Sequence, residues 1–210
     1  MSTLYTVLLC ATTILISGCE PNSNTDPYFS TEPGATSLYR LERQTTDGLE
    51  ETRYGWTNLI VQKSQSSISI QRKYLNNHHE SYKIGSTGVF LTGNTQNKFV
   101  MPRKLRKNDT WQTSVYATAL QTSQAPWETT LQPVIIVPMV NRVSSVNQHI
   151  WVENYHYKDC ALVESIGDAE IALGNFIGDI KVKIMSKTWY QPSIGVVRRE
   201  TRELTDSDVI

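Results

Sequence analysis

One segment of this chain alternates so regularly between apolar and charged side chains that it is restricted to β structure. Within residues 179–190, DIKVKIMSKTWY, the apolar side chains of Ile180, Val182 and Ile184 recur at every second position, and lysines lie between and after them. Successive side chains of a strand point to opposite faces, so the apolar set shares one face and the lysines share the other. This pattern is typical of an antiparallel strand with one face on a core and one in water.

The rest of the chain repeats this signal and contains no long stretch of helical periodicity. In SSISIQRKYL the side chains of Ile68, Ile70 and Tyr74 share one face, and the apolar run TGVFLTG is bracketed by glycines. Turn signals such as Asp47-Gly48 separate about nine or ten such runs at the spacing of hairpins. The sequence therefore predicts an all-β, mainly antiparallel fold.

The chain begins with an apolar stretch that ends at a cysteine. Residues 4–16 are apolar apart from Thr and Tyr, which suits the core of a signal peptide and is short for a membrane span of about 20 residues. Ser17 and Gly18 are small, as a signal peptidase requires before its cut, and Cys19 follows them. An uncleaved anchor helix and an ordinary buried strand are the alternative interpretations of this stretch.

The segment Ile16-Ser17-Gly18-Cys19 resembles the lipobox of bacterial lipoproteins. In that family the cysteine thiol receives a diacylglyceryl group, the preceding peptide is removed and the new amino terminus is acylated. The resemblance implies that Cys19 is the lipidation site and the first residue of the mature protein. It also implies the outer membrane, facing the periplasm, because Glu20 stands where an Asp would favour retention in the inner membrane.

These observations divide the chain into four segments. We expect a lipoprotein signal peptide at 1–18, lipidated Cys19 and a flexible tether at 19–36, a single β domain at 37–205, and a C-terminal tail at 206–210. The tether contains three prolines and few aliphatic residues, so it buries too little surface to order itself. Alternatively, Tyr28 and Phe29 within it pack on the domain.

Composition and motifs limit the chemistry that the domain can perform. Basic and acidic residues balance at 20 each, which argues against a nucleic-acid partner. With Cys19 lipidated, Cys160 is the remaining thiol of the exported chain, and we interpret it as a small buried hydrophobe, with a reactive thiol as the alternative. His149 and His156 would face apart along an unbroken strand. No catalytic, cofactor-binding or metal-ligating residue is therefore predicted.

Three segments resemble a group of bacterial envelope lipoproteins. MPRKLRKNDTWQT is similar to a GDTW-like turn into a strand, YHYKDCALVE to an FKDC-like strand, and TWYQPSIGVVRRE to a YAPGVG-like segment. The resemblance covers residues 100–204 and implies a strongly twisted antiparallel sheet, rolled into a half-barrel or an open barrel. It implies no particular activity.

The expected function is that of a membrane-anchored envelope lipoprotein with a non-enzymatic binding or scaffold domain. Its partners would be the membrane, through the lipid anchor, and an envelope protein or an apolar ligand. The alternative is a carrier or sensor of a lipid-like ligand in the concavity of a half-barrel, lined by some of the five tryptophans. Filling of the core is the preferred role for these aromatic residues.

Overall fold

The computed structural model describes residues 28–30, 33–44, 50–63, 68–74, 79–93, 96–117, 135–172 and 179–206. The expected signal peptide, Cys19 and the end of the C-terminal tail lie outside these ranges. The strands are β1 (Thr36–Gln44), β2 (Glu50–Lys63), β3 (Ile68–Tyr74), β4 (His79–Ile84), β5 (Gly88–Leu91), β6 (Lys98–Pro102), β7 (Thr110–Tyr116), β8 (Ile136–Val152), β9 (Tyr155–Ala172), β10 (Asp179–Gln191) and β11 (Gly195–Asp206). Within the described ranges there is no helix, and so none that could span a membrane.

The strands form two antiparallel sheets. The first follows chain order from β1 to β6, and the second has the order β11-β10-β9-β8-β7. Sequence neighbours within each sheet are therefore spatial neighbours, as hairpin connections require. The prediction of an all-β antiparallel fold is confirmed. Among the described strands, the two edges of each sheet do not pair, so neither sheet closes into a barrel.

The alternation in β10 is reproduced in the packing of that strand. Val182 and Ile184 are buried, whereas Lys181 and Lys183 are exposed on the opposite face. Val182 and Ile184 belong to an apolar cluster at one end of the second sheet, with Ala117, Ile135, Val137 and Met139. At this strand, one face of the sheet therefore packs on apolar side chains and the other face is exposed to water.

A larger cluster joins the two sheets. Its buried members from the first sheet are Ile70, Ile84, Val89 and Met101, and those from the second sheet and its connection are Leu105, Val143, Ala161 and Val163. The indole Nε1 of Trp111 on β7 donates a hydrogen bond of 2.9 Å to the carbonyl oxygen of Val100 on β6. Removal of this shared apolar surface from water is the main force that holds the sheets together.

Residues 28–30, which the sequence places in the tether, pack on the domain. Phe29 is 7% exposed and belongs to the cluster between the sheets. Its ring centroid lies 4.9 Å from that of Tyr82, and the guanidinium carbon of Arg72 lies 5.1 Å from its centroid. The backbone passes beside Gly195, where an added Cβ would already touch Ser30 N at 3.6 Å. The chain is therefore fastened to the domain at Phe29.

Candidate functional site

The hairpin formed by β8 and β9 extends beyond its neighbouring strands. Pairing of β10 with β9 ends at Ala161, and pairing of β7 with β8 ends at Arg142, whereas β8 and β9 pair with each other as far as Val152 and Tyr155. The chain reverses at Glu153, whose φ of 53° lies in the left-handed region. We call residues 149–159 the hairpin tip.

Aromatic rings cover both faces of the hairpin tip. Trp151 is 63% exposed and stacks on its cross-strand partner His156, with ring centroids 4.6 Å apart and planes 14° apart. His149 meets His156 edge to face, with centroids 5.6 Å apart. Tyr155, adjacent to His156 and so on the opposite face, is 68% exposed. Both faces are exposed because this end of the hairpin projects into solvent.

The expectation that His149 and His156 face apart is wrong, because a hairpin turn separates them and they do not share one unbroken strand. They lie on different strands of one hairpin, and cross-strand pairing brings them to the same face. The signal was available in the sequence, since Glu153-Asn154 is a polar pair flanked by alternating apolar and aromatic residues. Within the ranges that the structure describes, no group of three or more His, Cys, Asp or Glu is arranged to hold a metal ion.

Charged side chains around the hairpin tip are paired. Asp159 Oδ1 lies 3.9 Å from His149 Nε2, and Arg40 Nη1 on β1 lies 2.9 Å from Glu153 Oε1. All four side chains are substantially exposed, so each contact contributes little to stability. The Arg40 contact nevertheless brings β1 beside the tip. Leu38, on the same face of β1 as Arg40, is 78% exposed.

The chain enters the domain next to the hairpin tip. Burial raises the pKa of Tyr28, and the charges of Cys160 and Asp159 raise it further. Tyr28 packs against the cluster that contains Ala161, which follows the tip residue Asp159 by two positions in β9, and its carbonyl oxygen lies beside Gly195. The tip and the point of chain entry are therefore at the same end of the domain.

The prediction that Cys160 is buried in an apolar strand is confirmed. Its side chain is 0% exposed, and the next three residues along β9 are also buried. Burial raises the pKa of the Cys160 thiol, and the neighbouring carboxylate of Asp159 raises it further. The thiol remains protonated at neutral pH, donating weakly to the Lys158 carbonyl oxygen at 3.8 Å, so it is poorly nucleophilic.

Two surface depressions on the described part of the chain are bordered by charged residues. One, of about 260 Å³, lies along the β6–β7 connection and is lined in part by Arg103, Lys104 and Arg106. The other, of about 360 Å³, lies on the second sheet beside Lys181 and Lys183. Neither is the enclosed apolar cavity that a carrier of a lipid-like ligand would need.

No site was predicted at the other histidines, at Trp127 or at the Glu50-Glu51 pair. His78 and Trp127 fall outside the described residues, and His79 begins β4. The Glu50-Glu51 acidic pair lies on β2 rather than in a turn. The hairpin tip is thus the feature of the described surface that combines exposed aromatic rings, paired charge and proximity to the chain entry.

Comparisons of this chain with known proteins found no relative. No protein-family model, no curated protein and no solved structure matches the chain.

Proposed function

We propose that this chain is a lipoprotein of the bacterial cell envelope, anchored through lipid on Cys19. Its β domain is a non-enzymatic binding or scaffold module, and the hairpin tip is its binding surface. The anchor lies in the outer membrane and the domain faces the periplasm, as the similarity of the residues around Cys19 and Glu20 to those of bacterial lipoproteins suggests.

The anchor part of the proposal is supported by the sequence before the tether. Residues 4–16 provide an apolar signal core, and Ser17-Gly18-Cys19 provides the small residues and the thiol that lipidation needs. Each methylene that enters the membrane contributes about 0.8 kcal/mol, so one acyl chain holds weakly and several chains hold firmly. An anchor of this kind explains how a β domain with a charge-balanced sequence stays at a membrane.

One observation supports the binding role of the domain: Trp151 and Tyr155 are exposed at the end of a projecting hairpin. Neither ring contributes to the core clusters. Large aromatic side chains are enriched at binding surfaces, because each buries a large area with little loss of conformational freedom. Their exposure here favours contact with a partner over a role in stability.

In this proposal Cys160 is a structural residue and not a catalytic nucleophile. In the part of the chain that the structure describes, the pKa is raised at Tyr28 and Cys160, and both shifts favour the neutral form. Catalytic nucleophiles need the opposite shift, toward the reactive anion. The carrier alternative receives no comparable support, because the depressions described above are open and bordered by charge.

Photo-crosslinking in cells tests the binding surface. We expect p-benzoylphenylalanine in place of Trp151 to give crosslinked products several-fold more abundant than the same residue in place of Tyr116. Tyr116 is a matched control, because it is 59% exposed and pairs with Ile136 at the opposite end of β8. Equal yields at the two positions would contradict the proposal.

A further inference from the structure

We infer that the partner of the hairpin tip is the lipid surface of the bilayer that carries the anchor. Trp151 and Tyr155 would lie in the headgroup region, so that the domain rests on the membrane instead of standing away from it. This inference rests on the proposed anchoring at Cys19, and it adds the chemical class of the partner.

The first support is the length of chain between the anchor and the domain. Tyr28 lies nine positions after Cys19, and a fully extended chain of that length spans about 30 Å. Burial of Phe29 in the core fixes the domain end of this connection. The point of chain entry therefore stays within about 30 Å of the lipid, whatever conformation the connection adopts.

The second support is the series of short contacts from the chain entry to the exposed tryptophan. Tyr28 packs against the cluster that contains Ala161, two residues after Asp159 in β9, and Asp159 Oδ1 lies 3.9 Å from His149 Nε2. The His149 ring lies 5.6 Å from that of His156, which lies 4.6 Å from that of Trp151. The short connection to Cys19 thus keeps this end of the domain, and the tip with it, within reach of the membrane.

The third support is the chemistry of the exposed groups. Trp and Tyr combine an apolar ring with a polar N–H or O–H and are enriched where hydrocarbon meets water. The nearby formal charges balance, since Arg40 and Lys158 are basic and Glu153 and Asp159 are acidic. Insertion of rings, more than attraction to anionic lipid, would therefore drive the contact.

Fluorescence quenching in vesicles tests the inference on the full lipidated protein. The vesicles contain phosphatidylcholine with acyl chains brominated close to the headgroup. We expect quenching of the wild-type tryptophan emission and loss of most of that quenching in Trp151→Phe. Phe retains a ring that can stack on His156. A second variant, Tyr116→Trp, places an exposed tryptophan on β7, beside the end of β8 that is opposite the tip. This tryptophan should add no quenchable emission.

Several results would overturn the inference. Undiminished quenching in Trp151→Phe would show that other tryptophans meet the lipid, and equal quenching at position 116 would show contact without preference for the tip. Aromatic rings also stack on sugars, so a shift of Trp151 emission with soluble peptidoglycan fragments, without quenching by brominated lipid, would assign the tip to a polysaccharide.

Flotation of the same vesicles separates this inference from the proposed anchor. Wild-type protein that floats with the vesicles but whose Trp151 is not quenched refutes the lipid contact and leaves the anchor intact. Protein that does not float refutes the anchor and, with it, the inference.

Discussion

Replacement of Cys19 by serine is expected to abolish incorporation of a fatty-acid probe and to remove the protein from the outer-membrane fraction. The lipid is attached through the thiol in the lipoproteins that residues 16–19 resemble, and a serine side chain provides no thiol. Because each buried methylene contributes about 0.8 kcal/mol, loss of all acyl chains removes essentially the whole affinity of the anchor. Metabolic labelling and membrane fractionation measure the two effects.

Cys10→Ser is the matched control for this experiment. Cys10 lies inside the apolar stretch and is followed by threonines instead of a polar tether, so its replacement should leave labelling and fractionation unchanged. Wild-type labelling of the Cys19→Ser protein would refute lipidation at Cys19.

Cys160→Asp is expected to destabilise the domain by about 3–5 kcal/mol at neutral pH, as an unpaired buried charge does. The Cys160 side chain is completely buried, so a carboxylate in its place would lose its hydration. The adjacent Asp159 carboxylate adds a like charge. Since domains of this size are stable by about 5–15 kcal/mol, a large part of the stability would be lost. Urea unfolding followed by tryptophan fluorescence measures the change.

Two comparisons identify the cause of that loss. Cys160→Ala removes the same sulfur without adding charge and should cost about 1 kcal/mol through the small cavity that it leaves. Burial raises the pKa of the introduced carboxyl above its unfolded value of about 3.9, so the carboxyl is neutral in both states below that pH and its charge is penalised as pH rises. The destabilisation should therefore shrink on acidification. Equal stability of Cys160→Asp and wild type at neutral pH would contradict the burial.

The strands were predictable because their signal is local. Alternation in residues 179–190 indicates the strand that becomes β10, with Val182 and Ile184 inside and lysines outside. Division of the strands into two sheets was not predictable in the same way. It depends on contacts between residues distant in sequence, such as Ile70 and Val163, which lie in one buried cluster although they belong to different sheets.

For Phe29 the sequence left two alternatives open, a place in the flexible tether and packing on the domain, and the structure has the second. Residues 20–36 have the polar, proline-rich composition of a tether, yet Phe29 is buried against Tyr82 and Arg72, far away in sequence. One aromatic residue in a polar segment changes the composition little, and its burial depends on a partner surface that only the folded sheets provide.

The hairpin tip was not predicted, because the exposure of its side chains depends on the relative lengths of neighbouring strands. Filling of the core was the preferred role for the tryptophans, and Trp111 does pack against the core. Trp151 does not, since β8 and β9 continue beyond the ends of β7 and β10. The register between neighbouring strands decides which part of a hairpin extends beyond them. The sequence of a single strand does not reveal this register.

The mass of the amino-terminal peptide of the mature protein, purified from membranes, shows directly whether the protein is anchored through lipid on Cys19. Anchoring at Cys19 predicts a peptide that begins at this cysteine and carries a diacylglyceryl group on the sulfur and an acyl group on the amino terminus. A mature chain that begins elsewhere, or that begins at Cys19 with an unmodified thiol, would contradict the account.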